Sequence, residues 1–459
     1  MNETLSPEKD IQTKDTDPTL QKALDICSGP DRNEDVDFVH PADIADHIEN
    51  LSLEKQVCLM RHLSTEDAAD ALAELDEDVA VDVLENLDPH EAAGIIAEMD
   101  PDDAADVLDE LEDEHRDVLL NNLDKEDAEE LRHLLAFDPD TAGGIMNTEI
   151  IMLEKDITVD QAILQIRQSM EEDMEMPYYA YVVDEQDKLV GVLSLRDLML
   201  SRPGTIIHDA LKDQNQEVVS VRFDSSKEEV AERMSHYNFM AMPVVDYEGH
   251  LMGVATYDDI LDVVQDEASA DMLGMVGAGQ DENVDTPWLE SVRLRLPWLC
   301  INMLTSACSA MVVSIFEGSI AEMALLAVLM PMVANQAGNT GQQALAVMIR
   351  QLATERFDNR RAWSAVFREM KIGLSSGVIM ATLACICVFF LSSSPKMGLV
   401  MGAALWGDMV LGAVVGGSVP LLFRAIGRDP AQASSIFLTA ITDSMGFFIF
   451  LGLATAILL

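Results

Sequence analysis

The sequence has few basic residues, few aromatic residues and no phosphate-binding loop. Lysine and arginine number 29 against 82 aspartate and glutamate residues, and aromatic residues make up 5% of the 459 positions. Because phosphate binding needs clustered Lys and Arg, this balance excludes nucleic acid as a default partner and favours cations. The sequence also has no glycine-rich P-loop and no set of nucleophile and base, so an enzyme is not expected.

Histidine and cysteine are also scarce. The last histidine is His250, so the second half lacks one common proton-relay group, although carboxylates also relay protons. The six cysteines include no CxxC pair of the zinc-binding type, and we interpret them as small apolar residues and not as disulfides. Residues 1–36 have no apolar segment of the signal-peptide type. This predicts a disordered N-terminal segment and a cytosolic N-terminal half.

The acidic residues are concentrated before position 292. From Val292 to Leu459 there are 11 basic and 8 acidic residues, which leaves 18 basic and 74 acidic residues in the preceding part. The chain therefore consists of a strongly acidic part followed by a hydrophobic part, which predicts a multidomain α-helical membrane protein.

A 12-residue repeat fills region 37–136. Each unit has a leucine or methionine anchor, followed from the second unit onward by Ser, Asp or Glu as N-cap and then by small and apolar residues at helical spacing. The anchors are Leu51, Leu63, Leu75, Leu87, Met99, Leu111 and Leu123. Helices this short cannot bury an apolar stripe alone, so we expect them to stack into an acidic α-solenoid. Its acids are typical of a solvated surface, with divalent cation binding as the alternative for a minority.

A second repeat, with a period of 62 residues, divides regions 137–203 and 204–266. Val182-Val-Asp184 recurs as Val244-Val-Asp246, and Gly191-Val192 recurs as Gly253-Val254. Each copy has the pattern of strand, turn, strand and helix. The two copies resemble a tandem CBS-domain pair, an α/β module that commonly dimerises and senses ligands.

The CBS resemblance implies a cleft that binds an adenine nucleotide such as ATP. Two features stand against this site, because there is no phosphate loop and the surrounding charge repels polyphosphate unless magnesium accompanies it. The candidate lining residues are Tyr179, Arg196, Asp197 and Phe239.

Region 267–291 follows the CBS pair and precedes the hydrophobic part. Its first half has apolar residues near helical spacing and is predicted to be a connecting helix, whereas Gly277, Gly279 and Pro287 favour a plain linker in the second half.

Five hydrophobic stretches in 292–459 are long enough to cross a bilayer. Basic residues cluster before the first, after the second and after the fourth, which predicts a cytosolic N-terminus and an external C-terminus in a bacterial cytoplasmic membrane. The predicted spans are Pro297 to Phe316, Glu322 to Met348, Ile372 to Leu391, Met397 to Phe423 and Ser435 to Leu459.

The last span contains a single acid, Asp443. Because an ionised carboxylate in a bilayer costs roughly 2.5 to 3.5 kcal/mol on insertion scales, it normally faces the bundle interior or a water-filled path. The residue alone leaves three interpretations open: an ion pathway, a hydrogen bond between helices, or a protonated acid of a coupled carrier.

The second span contains the polar stretch Pro331 to Gln343, which we interpret as glycine-broken backbone at membrane depth. Such backbone is tolerated only where it is buried in protein or lines an aqueous cavity. The alternative for Asn335 and Gln336 is hydrogen bonding between helices. Asp408, in the fourth span, is a second candidate for the same path. The candidate lining residues are Asn335, Gly338, Asn339 and Gly341.

From about Phe38 onward, the chain resembles the MgtE-type magnesium channels and transporters. The resemblance rests on the domain order and on local motifs, namely Asp140-Thr-Ala-Gly-Gly144, Leu294-Arg-Leu-Pro-Trp298, Pro331 through Gly338-Asn-Thr-Gly341, Asp429-Pro-Ala431 and Thr442-Asp443. It implies a homodimer in the lipid membrane in which Asp443 holds hydrated Mg²⁺. It also implies regulatory Mg²⁺ sites, with Glu228, Asp259, Asp262, Glu267 and Asp271 as candidates.

Four positions depart from the family pattern. Ala337 replaces a common glycine and Ile436 a usual proline, which affects pore shape, while Asn238 and Ala270 stand where the family can place acids. In a symmetric dimer two Asp443 side chains would oppose each other and balance a divalent charge. We expect internal Mg²⁺ to bridge the cytosolic acids and close the pore. The alternatives are an ion-coupled divalent-cation carrier and a membrane-anchored nucleotide sensor.

Overall fold

The computed structural model describes residues 40–169, 178–214, 218–279, 282–284, 286–354, 359–432 and 434–459. The predicted disordered segment 1–36 lies outside the described residues. The chain forms two compact units, one ending at Val264 and the other beginning at Gln265.

The described part of the first unit begins with eight short helices, as the 12-residue repeat predicts. Ser64 Oγ accepts a hydrogen bond from Asp67 N at 3.1 Å, and Asp88 Oδ1 accepts one from His90 N at 3.0 Å, so both act as N-caps. Each helix packs against the helix two places along, which buries the repeated apolar stripe. The helices α1 to α8 are Pro41–Glu49, Leu53–Met60, Thr65–Ala73, Glu77–Asn86, Pro89–Ile96, Pro101–Glu110, Asp113–Leu120 and Lys125–Leu134.

The CBS-like repeats form two three-stranded sheets of the same order. In each sheet the middle strand pairs parallel to the first and antiparallel to the third. The strands β1 to β6 are Met152–Glu154, Tyr179–Val183, Leu189–Ser194, Val221–Arg222, Ala241–Val245 and Leu251–Thr256, and the helices α9 to α12 are Val159–Ser169, Leu195–Leu200, Ile207–Gln214 and Lys227–Tyr237.

The helix α13 spans Tyr257–Val276, so it begins earlier than the predicted connecting helix. It ends at Gly277, whose φ of 77° lies in the left-handed region that favours glycine. The next helix begins at Trp288, so the described residues between Gly277 and Pro287 contain no regular helix.

The second unit contains the hydrophobic helices. They are α14 (Trp288–Ile315), α15 (Glu317–Glu322), α16 (Leu325–Thr354), α17 (Asn359–Ser392), α18 (Pro395–Ala425) and α19 (Ser434–Leu458). Within the described residues, α14, α17, α18 and α19 are long and apolar enough to cross a membrane. The remaining predicted span is α16, which has 30 residues but contains the polar stretch that lowers its hydropathy.

The predicted break in α16 is wrong, because the helix is continuous through Pro331, Gly338 and Gly341. A glycine inside a helix costs roughly 1 kcal/mol relative to alanine, but packing offsets this cost. Here Gly412 and Gly416 of α18 lie against the backbone carbonyls of Ala337 and Gly341, so the two helices approach closely.

The cysteine prediction holds in part. Cys300, Cys308, Cys385 and Cys387 in the membrane helices are free thiols. The prediction is wrong for Cys58, which is disulfide-bonded. Sequence spacing alone does not identify cysteine pairs.

We expect Gly416→Ala to lower the stability of the membrane domain by about 1–3 kcal/mol, the usual range for overpacking. A Cβ at this position would collide with the carbonyl oxygen of Gly341. The measurement is the thermal unfolding midpoint in detergent. Gly407→Ala on the same helix is the matched control, since a Cβ there meets no atom within 4 Å. Equal midpoints for the two variants would contradict the close approach of α16 and α18.

Candidate ion pathway and acidic site

One face of α16 carries exposed amide side chains. Asn335, Asn339 and Gln342 are exposed and follow one another at spacings of four and three residues, which places them on one side of the helix. The opposite side carries buried residues such as Val333 and Ala344. Polar side chains on the outside of a hydrophobic domain indicate a face turned toward water or a partner, and not toward lipid.

The glycines of the polar stretch have different surroundings. A Cβ at Gly338 would meet no atom within 4 Å, so this glycine borders open space. Gly341 is buried, and a Cβ there would lie 2.7 Å from Leu438 Cδ1 and 3.0 Å from the carbonyl oxygen of Gly412. The structure therefore places Gly338 beside the open face and Gly341 in the packing between α16, α18 and α19. Ala337 is buried on the same packing side.

Asp443 lies on α19, which packs against both α16 and α18. Its side chain is partly exposed, whereas the neighbouring Thr442 is buried and donates its hydroxyl proton to the carbonyl of Leu438 at 3.0 Å. Ile436, the other departure near the pathway, is buried near the start of the same helix. The membrane unit thus combines an exposed amide face on one helix with a partly exposed acid on its neighbour.

Asp408 on α18 belongs to the same unit but has a different environment. It is 0% exposed, and Asp443 is the charged group with which it interacts electrostatically. The structure therefore brings together the two membrane acids named from the sequence, one partly exposed and one enclosed.

A second group of acids lies at the start of α6, in the solenoid. One carboxylate oxygen from each of Asp100, Asp102 and Asp103 lies within 4.8 Å of the others. Asp102 is 5% exposed and accepts a hydrogen bond from Asn147 Nδ2 at 3.1 Å. Burial, followed by the nearby Asp259, raises the pKa of Asp102 well above its ordinary value.

Asp259, at the start of α13, faces these solenoid acids. Burial raises the pKa of Asp259 to about 6, although Thr256 donates its hydroxyl proton to the carboxylate at 2.8 Å. Burial and then Asp259 raise the pKa of Asp103 to about 8 and that of Asp106 to about 7. The first unit therefore holds several like charges against one another, an arrangement that a divalent cation would relieve.

The other regulatory candidates lie in three different environments. Glu228 is exposed in the first turn of α12, and Asp262 is exposed one turn beyond Asp259. In the second unit, burial raises the pKa of Asp271 to about 6, with Asp429 and Glu267 as further causes. The structure thus groups Asp259 with the solenoid acids and Asp271 with Asp429 and Glu267, and it leaves Glu228 outside both groups within the described residues.

Four further acids of these groups, Asp102, Asp103, Asp106 and Asp429, are not predicted by the sequence pattern. Asp102 and Asp103 occupy the first turn of a repeat in which almost every unit has first-turn acids, and Asp106 lies one turn further along the same helix, so the pattern gives no means of selecting them. Asp429 belongs to the motif Asp429-Pro-Ala431, and only the fold brings it near Asp271.

The cleft between the CBS repeats is a cavity of about 440 Å³. Tyr179, Asp197 and Phe239 line it as predicted, whereas Arg196 does not. Asp197 is also the N3 residue of a capping box, because its Oδ2 accepts a hydrogen bond from Ser194 N at 3.3 Å and its own N–H donates one to Ser194 Oγ at 3.1 Å. Ser194 therefore occupies part of this carboxylate's hydrogen-bonding capacity.

These features define a class of protein: a multi-pass membrane transporter of cations with acidic helical and CBS-like domains. The C-terminal part matches the family model described as "MgtE: Divalent cation transporter" over residues 330–453. The "MgtE intracellular N domain" model matches residues 39–140, and the CBS domain model matches 142–204 and 211–266.

Curated relatives agree with the family models. The magnesium transporter MgtE of Enterococcus faecalis is 35% identical over 72% of this chain and 71% of the relative, and that of Thermus thermophilus is 36% identical over 72% of each. The crystal structure of the soluble part of a magnesium transporter covers 55% of this chain and 98% of its own, with 34% identity and a TM-score of 0.51. The chain belongs to the MgtE family of magnesium transporters.

Proposed function

We propose that this protein carries Mg²⁺ across a bacterial cytoplasmic membrane along a path lined by the exposed face of α16 and by Asp443. The observation that carries the proposal is the row of exposed amides on a helix packed against the helix that bears this acid. The relatives are named as magnesium transporters, so Mg²⁺ is the proposed ion, and their names favour neither a coupled carrier nor a nucleotide sensor.

The chemistry of the path suits a hydrated divalent cation. Mg²⁺ binds oxygen ligands at about 2.1 Å in an octahedron, keeps several of its waters and takes one or two carboxylates. Amide oxygens of Asn335 and Asn339 accept hydrogen bonds from such waters, and Asp443 supplies charge. A homodimer in which the two exposed faces oppose each other would supply two Asp443 carboxylates and close the path from lipid.

The orientation follows from the basic residues and remains part of the proposal. Arg and Lys cluster at the start of α14, around the α16–α17 connection and at the end of α18, which places those ends in the cytosol together with the acidic domains. The C-terminus of α19 would then lie outside. The proposed domains are 37–136, 137–203, 204–266, 267–291 and 292–459.

The acidic groups support regulation by the transported ion. At low internal Mg²⁺, the carboxylates of Asp103, Asp106 and Asp259 either are ionised and repel one another or remain protonated. A bound Mg²⁺ would displace the protons and bridge the ionised carboxylates, which removes the repulsion. Binding to one arrangement of the cytosolic domains shifts the population toward it, which would close the path. Asp271 and Glu267 form a second candidate site for the same effect.

The CBS cleft supports binding of an adenine nucleotide. Its volume suits a nucleoside, Tyr179 and Phe239 offer aromatic surfaces for a base, and His208 and Lys212 add basic groups at the wall. A nucleotide such as ATP would act here as a ligand of the regulatory domains.

The transport proposal is tested by Asn339→Leu, which we expect to reduce Mg²⁺ uptake at least tenfold in proteoliposomes with an Mg²⁺-sensitive dye inside. The change replaces an exposed hydrogen-bonding group of the path by an apolar one, whereas the matched variant Asn339→Ser keeps an oxygen and should retain most of the uptake. Equal uptake by wild type and Asn339→Leu, with both proteins monodisperse, would mean that the amide face does not line the path.

A further inference from the structure

Asp408 has an unusual environment for a carboxylate. It lies in the middle of α18, it is 0% exposed, and neither of its oxygens has a hydrogen-bond partner. Within the described part of the chain, these two oxygens are the only buried side-chain polar atoms in that condition. Buried polar groups in native proteins are normally paired, so each exception needs an explanation.

The carboxylate is directed at α19. A Cβ at Gly446 would collide with Asp408 Oδ2 and would lie 3.1 Å from Oδ1, so the absence of a side chain at Gly446 is what admits the carboxylate. Gly446 follows Asp443 by three residues on the same helix, close to one helical turn. Asp408 therefore approaches α19 one turn beyond the acid of the proposed path.

No basic side chain is available in the membrane part of the neighbouring helices to neutralise Asp408. Helices α16, α17 and α19 pack against α18. Residues 325–349 of α16 and 372–392 of α17 contain no Asp, Glu, Lys, Arg or His, and Asp443 is the one charged residue of α19. The titratable groups of these segments are therefore Asp443 and the thiols Cys385 and Cys387, of which Cys385 packs instead beside Gly398 and Gly402.

An ionised carboxylate without partners in such a place is strongly unfavourable, so it takes up a cation. Mg²⁺ is a poor occupant, because it sheds its waters reluctantly and needs an octahedron of oxygen ligands. A proton needs neither space nor additional ligands. The chemistry of the enclosed position therefore selects a proton.

We propose that Asp408 is a proton-binding site inside the membrane domain, and that its occupancy is linked to cation binding at Asp443. When a divalent cation binds at Asp443, its positive charge favours the ionised form of Asp408, and one proton per chain leaves for the solvent. When a proton returns, Asp408 becomes neutral and the cation is held less tightly. This inference rests on the proposed role of Asp443 and adds control of Mg²⁺ transport by pH.

The test measures Mg²⁺ uptake by full-length protein in proteoliposomes at pH 6, 7 and 8. For wild type, we expect the KM for Mg²⁺ to rise several-fold from pH 8 to pH 6, toward the limit of about tenfold that one pKa unit of coupling allows. Asp408→Asn resembles the protonated acid in shape and charge, so it should transport Mg²⁺ with the high, acid-type KM at every pH. Glu317→Gln removes an exposed acid of the same unit and should keep the wild-type profile.

The outcomes separate the two proposals. If Asp443→Asn transports normally, the path itself is wrong, whatever Asp408 does. If Asp443→Asn is inactive but Asp408→Asn retains the wild-type pH dependence of KM, or if wild type shows none, the proton site is refuted. Asp408→Ser, which is neutral and smaller, gives the same readout if the asparagine variant does not fold.

Discussion

Replacing Asp443 by alanine should abolish Mg²⁺ uptake while the protein remains inserted and folded. The side chain is partly exposed on α19 and is not one of the buried residues of that helix, so we expect its removal to leave the packing largely intact. Its removal takes away the charge that would hold a hydrated divalent cation in the path. Uptake into proteoliposomes, together with magnesium-dependent growth of a transport-deficient bacterium, provides the measurement.

Two further variants at this position separate charge from shape. Asp443→Asn keeps the size of the side chain and loses its charge, so its uptake should fall nearly as far as that of the alanine variant. Asp443→Glu keeps the charge and moves it outward, so we expect partial activity with altered ion selectivity. Wild-type uptake by Asp443→Ala in a monodisperse, correctly inserted sample would remove this residue from the ion path.

The repeats were the features that the sequence predicted best. A 12-residue period carries its own helix starts, because Ser64 and Asp88 occupy the N-cap position and also bond the first-turn amides. The 62-residue period predicts the paired sheets for a similar reason, since both copies share the turn residues and the apolar runs. Local patterns of this kind need no knowledge of distant contacts.

The break predicted in α16 failed because it depended on such contacts. Glycine and asparagine weaken a helix in isolation, but Gly341 lies against Leu438 and Gly412, which are far away in the sequence. Close packing with α18 and α19 is what stabilises the continuous helix. The same contacts place Gly341 in the packing and leave Gly338 beside open space.

The acidic site formed by the solenoid acids and Asp259 could not be predicted from the sequence either. Asp102 and Asp103 look like any first-turn acids of the repeat, and only the fold brings them to Asp259, which follows more than 150 positions later. A carboxylate becomes distinctive when it is buried next to others, and burial is a property of the folded chain. The sequence therefore predicts Asp259 as a site residue but does not predict the solenoid acids that face it.

Neutralising Asp103, Asp106 and Asp259 together should remove the inhibition of transport by Mg²⁺ on the side of the acidic domains. The expected effect is at least a tenfold increase in the inhibitory Mg²⁺ concentration, because the triple asparagine variant has lost three candidate ligand carboxylates. The measurement is current or uptake as a function of Mg²⁺ on that side. A matched variant carries asparagine at Asp78, Asp82 and Asp117, three exposed acids of the solenoid, so its charge change is the same.

The three outcomes of this experiment have different meanings. Persistent activity at high Mg²⁺ in the site variant alone supports bridging by bound ions. Inactivity at every Mg²⁺ concentration indicates that repulsion between the acids is what keeps the path open. Unchanged inhibition excludes these acids as the sensor.

The same acids predict how pH acts on the metal-free first unit. Asp103 and Asp106 have folded pKa values of about 8 and 7, above the ordinary value of 3.8. Between pH 3.8 and these folded pKa values, the folded state binds more protons than the unfolded state. The stability that Asp103 and Asp106 contribute at low pH is therefore lost as pH rises toward 8. Without Mg²⁺, protease digestion of the full-length protein should therefore be faster at pH 8 than at pH 6. Millimolar Mg²⁺, but not sodium at equal ionic strength, should protect most at pH 8, where fewer protons compete for the carboxylates, and this difference should disappear in the triple asparagine variant.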